Sequence, residues 1–377
     1  MSQRIYEDLL HDDNLYRARY YVLNATKIDS LDGISGIGSK SSNYVHVIID
    51  GTDSLMLAIA QQVALIAHYP NHNEQTHTFR SVIAIVGDDP SKEELQNTFG
   101  NLLQYAHCQY IDTMGSIQKE TSPDSYLDIT LRFVQQPVEE YLSKTKKDSK
   151  AIISLFTYRD IQEVNMNVVV DKNKPLTAEE RTVDITRARK VNRIYEFVNI
   201  NNYENTREQE RVDDYIGAIK RCISGFRVES ELQQAWDKLG DNAIIKLSNV
   251  CCGDCYESRM RSLGRKWRVT LLQDFTLYAK SEHIRWCTEK LIFGYRPFNE
   301  EELRARSALA AKDKEKEKAF LTQCKKNKVH YNICSHAGLY SRDYEAIRYD
   351  TFLILVTPFL EKTSWLDFLK KKFRNYL

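Results

Sequence analysis

The feature that most constrains the fold is an alternation of short apolar runs and longer helical segments in the first half of the chain. The run YVHVIID at 44–50 is typical of a buried strand, and SLMLAIAQQVALIAHY at 54–69 is typical of an apolar helix. A second strand-like run, RSVIAIVGDD, follows at 80–89. Strand, helix and strand in this order predict a βαβ unit.

Later segments continue this alternation and then abandon it. Ser91 has the place of a helix N-cap, with Glu94 as its capping-box partner. Further strands are predicted at 108–114, 150–158 and 192–200. After the polar segment NINNYENT at 199–206, one helical pattern follows another, beginning with 207–223. The sequence therefore predicts the α/β class, with a doubly wound, Rossmann-like parallel sheet followed by a mostly α-helical C-terminal domain.

These patterns predict three regions. Residues 1–204 form the Rossmann-like domain, 205–264 a helical connector, and 265–377 a second domain. Within the last region, the segment 299–328 carries many opposite charges at helical i,i+4 spacing, which predicts an exposed helical insertion.

Composition excludes several classes of function. The chain has 53 basic and 52 acidic residues in a total of 377, so no overall charge favours nucleic acid or an anionic membrane. Its longest apolar run, 352–360, is too short to insert in a membrane, and the first twenty residues are charged throughout, unlike an export signal. We therefore predict a cytoplasmic location with no nucleic-acid partner. A homodimer is a common state for doubly wound proteins, but no segment indicates one.

The eight cysteines are predicted to be reduced thiols. Cys252 and Cys255 have the spacing of half a zinc site, but no second close pair of cysteines or histidines follows at a matching distance. We therefore predict packed thiols rather than a metal site.

A first candidate site is the turn that follows the strand at 44–50. Gly51 has the place of the phosphate turn in a dinucleotide-binding fold, and Asp88 has that of an acid that binds a ribose hydroxyl. The other glycines are missing: Asp53 stands where backbone should approach pyrophosphate, and its carboxylate repels phosphate. Asp53 or Ser54 can instead cap the helix. The context thus favours NAD, whereas the residues argue against it.

The second candidate site is the segment SEHIRWCTEKLIFGYRPF at 281–298. In a helix, His283, Trp286, Lys290 and Phe293 share one face, and Gly294 has the place of a C-cap. A second stripe on this helix can pair internally, Arg285 with Glu289. The first stripe is either a packing surface, with the lysine reaching solvent, or the wall of a pocket.

The residues after this helix add to the pocket interpretation. Tyr295 and Arg296 bring an aromatic ring and a second cation. Rings stack on a base and cations hold phosphate, so the set suits a small nucleotide-like anion. No nucleophile, base and acid can be identified as a catalytic set, so the sequence does not indicate an enzyme.

The segment EHIRWCTEKLIFGYRPF resembles the first half of the RyR domain, a small helical repeat also found in bacterial proteins. The segment 330–361 resembles its second half; the matching positions are His330, Asn332, Ile333, Leu339 and Asp350. Segments 66–89 and 235–252, the latter with Ser248 and Asn249, resemble the TrkA-like Rossmann part and helical joint of such proteins. The missing phosphate-loop glycines and the segment 299–328 depart from that pattern.

This resemblance implies a sensor of a nucleotide-derived ligand, including in bacterial signalling or phage defence. It places the ligand against His283, Trp286, Lys290, Tyr295, Arg296 and Asp350. Two alternatives remain open from the residues: an NAD-type enzyme or cofactor-gated regulator that uses the Gly51 turn, and a non-catalytic structural adaptor.

Overall fold

The computed structural model describes residues 14–15, 17–19, 22–23, 31–33, 35–121, 126–157, 185–200 and 212–361. The strands are β1 (Tyr44–Asp50), β2 (Ser81–Val86), β3 (His107–Ile111), β4 (Ile117–Thr121), β5 (Ile129–Val134), β6 (Ala151–Phe156), β7 (Arg296–Pro297) and β8 (Val329–His330). The helices of the first half are α1 (Ser54–Ile66), α2 (Lys92–Phe99), α3 (Leu102–Tyr105) and α4 (Val138–Thr145).

The helices of the second half are α5 (Thr186–Ile200), α6 (Val212–Gly225), α7 (Glu229–Asp237), α8 (Ala243–Asp254), α9 (Tyr256–Leu263), α10 (Trp267–Ile292), α11 (Glu300–Ala310), α12 (Lys314–Lys326), α13 (His336–Arg342) and α14 (Tyr344–Val356). A short 3₁₀ turn, Thr357–Phe359, ends this half.

Six strands form one sheet in the order β4-β3-β5-β2-β1-β6. Five of them are parallel, and β4 lies antiparallel to β3 at the edge. The chain moves from β1 to β2 on one side and returns to β6 on the other, so the strand order reverses beside β1. The predicted α/β class, with a mostly parallel sheet and a helical C-terminal region, is confirmed.

Alternate residues of β1 face the two sides of the sheet, as the pleat requires. Val45, Val47 and Ile49 enter the large core that contains α1, whereas Ile48 packs on the opposite face with Tyr141 of α4. Helices therefore cover both faces, which is why the strands are continuous apolar runs rather than alternating ones.

Helix α1 is mostly apolar and buried because it is enclosed between the sheet and the helical half. Eleven of its 13 residues are buried. The same core includes Leu247 from α8 and Ile284 and Leu291 from α10. The helical half therefore packs directly onto the sheet half through α1, and a second core holds the helices together around Phe352 of α14 and Val191 of α5.

The predicted strand at 192–200 is wrong, because this segment lies within helix α5. Its buried apolar residues, Val191, Ile194 and Val198, recur at helical intervals. The predicted joint at 199–206 and the start of the helix predicted at 207–223 lie largely outside the described residues; α6 is described from Val212.

The charged segment 299–328 is two helices rather than one. Asp313 caps α12 through the backbone N–H groups of Glu315 and Lys316, and this cap marks the break after α11. Strand β7 pairs with β8, so the two ends of the segment lie side by side. The segment is thus a helical hairpin on a fixed base. The capping box of Ser91 and Glu94 is confirmed.

Candidate functional site

The C-terminal end of α10 is fixed by the loop that follows α2. The backbone N–H of Asn101 donates to the carbonyl of Leu291 at 2.9 Å, and its side-chain amide donates to the carbonyls of Gly294 and Tyr295, each at 2.9 Å. Gly294, with φ of 80°, ends the helix as predicted. The sheet half therefore satisfies carbonyls that the end of a helix leaves free.

His283 lies in the interior with both ring nitrogens facing acceptors. Its Nε2 lies 3.0 Å from the carbonyl oxygen of Cys334 and its Nδ1 lies 3.3 Å from the carboxylate of Asp350. Desolvation disfavours the charged ring, but the interactions with Cys287, Asp350 and Cys334 outweigh it and hold the pKa of His283 well above its usual value. With an acceptor at each nitrogen, the ring is placed to donate two hydrogen bonds in its charged form, and it joins α10 to α14.

Trp286 lies between His283 and Lys290. Its ring stacks on His283 at a centroid distance of 6.1 Å, and Nζ of Lys290 lies 5.6 Å from its centroid. Lys290 does not extend to solvent: it is buried and donates to Glu289 at 2.8 Å and to Ser248 at 3.4 Å. The ammonium thus already has a carboxylate and an aromatic face as partners.

The neighbouring stripe of α10 is a buried ionic cluster. Arg285 donates to Glu282 at 2.9 Å and to Glu289 at 2.7 Å, which confirms the predicted pair. Arg259 of α9 also binds Glu282. Desolvation would raise the pKa of Glu289, but the charges of Lys290 and Arg285 lower it to about 2.

Tyr295 and Arg296 lie beyond the helix, in different surroundings. Tyr295 contacts His330 edge-on at 6.3 Å, and His330 contacts Trp286 at 4.9 Å, so the tyrosine joins the cluster through that histidine. Arg296 forms two 2.8 Å hydrogen bonds with Glu302 of α11 instead.

The structure therefore brings together five of the six residues predicted to bind a ligand and places Arg296 in a separate ion pair. Sequence reasoning did not give His336 a role, although its ring lies 6.0 Å from that of His283. It also predicted no functional role for Cys287, whose sulfur lies 3.5 Å from Nε2 of His283. The spacing of Cys287 four residues after His283 on one helix was the available signal.

The Gly51 turn has the geometry of a capped helix. Oδ1 of Asp53 accepts the backbone N–H groups of Leu55 at 2.9 Å and Met56 at 3.3 Å. These donors are the ones that a pyrophosphate would use. Ser54 is exposed and its Oγ accepts from Asn14 at 2.8 Å. Asp88 is exposed at the end of β2.

A cleft of about 450 Å³ opens beside this turn. Helix α1 supplies one wall, α2 a second, and Leu247 of α8 with Ile292 and Phe293 at the end of α10 a third. The described polar side chains that line it are Asn14, Ser54, Gln61, Gln62, Glu94, Asn97 and Thr98. Among these, the one formal charge is Glu94, whose carboxylate accepts the N–H of Ser91 at 2.9 Å.

The residues that the structure describes offer neither a membrane-spanning helix nor a metal-binding cluster. None of their helices combines the length and the apolar character needed to cross a bilayer. No group of three or more histidine, cysteine or acidic side chains among them is placed to hold a metal ion. Cys252 and Cys255 are buried thiols in and after α8.

Comparison with family models, with curated proteins and with solved structures finds no match to this chain. The resemblance to RyR-domain and TrkA-like proteins therefore stays a prediction.

Proposed function

We propose that the protein is a non-catalytic sensor that binds a nucleoside-like ligand in the cleft between α1, α2, α8 and the end of α10. The observation that carries this proposal is the cleft itself. Its volume of about 450 Å³ is in the usual range for small-molecule sites, and it lies where the sheet half meets the helical half.

The lining of the cleft suits an uncharged ligand with several hydrogen-bonding groups. Amides and hydroxyls from α1 and α2 face apolar side chains that include Leu57, Leu247 and Phe293. A base can pack on the apolar wall, and a sugar can use the amides. No lysine or arginine is among the described lining residues, so a phosphate gains no ion pair there.

The α10 stripe supports the proposal in a different way. His283, Lys290 and Asp350 are buried and hold one another or neighbouring groups. The contact of His283 with Asp350 holds the middle of α10 against α14, and the end of the same helix supplies Ile292 and Phe293 to the cleft. A ligand that displaces Phe293 would therefore act on the buried contacts of His283 and Lys290 and on the base of the helical hairpin α11–α12. This link makes the cleft suited to sensing.

The test is a thermal-shift screen of the full chain against the four common ribonucleosides, their monophosphates, ADP-ribose and NAD(H). We expect a nucleoside to raise the unfolding midpoint, and its phosphorylated form to do so less, because Glu94 is the charged group of the described lining. Asn97→Trp, at the exposed rim, should abolish the shift by filling the cleft.

Lys92→Trp is the matched control, since this exposed position lies on the same helix outside the lining. It should keep the shift. A nucleoside shift that survives Asn97→Trp contradicts the proposal. A shift given by ADP-ribose alone and lost in Lys290→Ala would return the site to the α10 stripe.

A further inference from the structure

A second, much smaller cavity lies in the interior beside the ionic cluster of α10. Its volume is about 10 Å³, compared with about 450 Å³ for the cleft. All its lining residues are buried, and the polar ones are His68, Ser258, Arg259, Ser281, Glu282 and Arg285. The cavity is separate from the cleft proposed above for the sensed ligand and shares no lining residue with it.

One guanidinium nitrogen at this cavity has no partner among the described residues. Arg285 is 1% exposed, and its Nε and Nη1 donate to Glu282 and Glu289. Its Nη2 is buried without a hydrogen bond to any described group. An unsatisfied charged donor in the interior is costly, so a group outside the chain is expected to accept from it.

The charges around the cavity do not balance among the described residues. Three cations, Arg259, Arg285 and Lys290, share two carboxylates, Glu282 and Glu289. The neighbouring acids do not make up the difference, because Asp254 is held by Arg19 and Asp32 by Arg261. Asp128 hydrogen-bonds to His68 and also lies near the charge of Arg80. One positive charge in the interior therefore has no counter-charge among the residues that the structure describes, which is strongly unfavourable.

We propose that this cavity is a binding site for one small monovalent anion, such as chloride. A water molecule would satisfy Nη2 of Arg285 but leave the charge uncompensated, whereas an anion does both. Arg259 and Arg285 flank the anion, and the hydroxyls of Ser258 and Ser281 line the same space. The carboxylate of Glu282 also lines it but is already shared by the two arginines. A bulky anion such as gluconate does not fit.

The test uses the full wild-type chain crystallised in sodium bromide, with diffraction data collected at the bromine absorption edge. We expect an anomalous peak in the cavity within contact distance of Nη2 of Arg285. The absence of a peak there, in a crystal that shows bromide elsewhere, overturns the proposal and leaves a water as the occupant.

Thermal unfolding in solution gives an independent result. The midpoint should rise with the logarithm of chloride or bromide concentration by a few degrees more than in sodium gluconate of equal ionic strength. Lys290→Met removes the excess charge, so the difference between halide and gluconate should disappear. Lys316→Met, at a lysine 74% exposed, is the matched control and should keep it. Equal slopes in both salts for the wild-type protein overturn the proposal.

Discussion

Nδ1 of His283 lies 3.3 Å from the carboxylate of Asp350, and this contact ties the middle of α10 to α14 across 67 residues of sequence. The opposite ring nitrogen faces the carbonyl of Cys334. A ring with an acceptor at each nitrogen donates two hydrogen bonds only when it is protonated. The fold therefore stabilises the charged form of a histidine that has little contact with water.

We predict that this contact makes stability depend on pH. The pKa of His283 is raised on folding, so its stabilisation is complete below the unfolded value of about 6.5 and is lost as the pH rises towards the folded value. Asp350→Asn should therefore lower the free energy of unfolding more at pH 6 than at pH 9. Urea titrations of both proteins across this range measure the difference.

His330 provides a control of opposite sign. Burial lowers its pKa to about 3, and the charges of Lys325, Lys290 and His283 act in the same direction. Its neutral ring contributes stability that is complete above about 6.5 and is lost as the pH falls towards 3. The free energy of unfolding of the wild type should therefore fall as the pH drops from about 6.5 towards 3, and His330→Gln should remove this fall.

For His283, identical pH profiles of the wild type and Asp350→Asn would contradict the assignment of a charged ring.

A second prediction concerns Glu289 in the buried cluster. Glu289→Gln leaves Arg285 and Lys290 without a carboxylate they now share, and breaking a buried pair in this way costs about 3–5 kcal/mol. Glu300→Gln breaks a pair with Arg304 of the same i,i+4 spacing, in which both side chains are about four-fifths exposed. That change should cost less than about 1 kcal/mol. Chemical unfolding of the two variants gives the comparison, and equal losses would mean that the buried cluster contributes no more than a surface pair.

The sequence indicates four of the six strands of the sheet, β1, β2, β3 and β6, but β4 and β5 were not predicted. Strands buried on both faces are continuous apolar runs, as β1 and β2 are, and the edge strand β6 is also apolar although most of its residues are only half-buried. Strand order is less accessible, since β5 lies between β3 and β2 although it follows both in the chain. Order depends on contacts between distant segments, which local patterns do not report.

The candidate site, like the sheet, could be predicted only in part from the sequence. Helical spacing places His283, Trp286 and Lys290 on one face, and the structure confirms that they are neighbours. Whether Lys290 reaches solvent could not be read from spacing, because its burial depends on Glu289 and on Ser248 from α8. The cleft gives no sequence signal either, since its walls come from helices far apart in the chain.

Gly100 gives a third prediction, about the junction between the sheet half and α10. Its φ of 53° is unfavourable for other residues, and a Cβ there would lie 2.4 Å from the carbonyl oxygen of Ile292. Gly100→Ala should therefore destabilise the protein through both strain and displacement of the helix end. Gly240→Ala is the matched control, because Gly240 has φ of 50° and open space around it. This change should cost only the backbone strain of about 1–2 kcal/mol. Denaturant midpoints that fall equally in both would show that the approach to Ile292 has no energetic consequence.

The last prediction concerns Asp53 at the turn where a dinucleotide would bind. Its carboxylate caps α1, so Asp53→Ala should lower the free energy of unfolding by about 1 kcal/mol, whereas Asp53→Asn, which keeps a good capping side chain, should change it little. Because that carboxylate uses the N–H groups of Leu55 and Met56, wild-type protein should not bind NAD(H) at millimolar concentration in a fluorescence titration. NAD(H) binding by the wild type that weakens in Asp53→Ala would reverse this view, since it would make the aspartate a ligand rather than a cap.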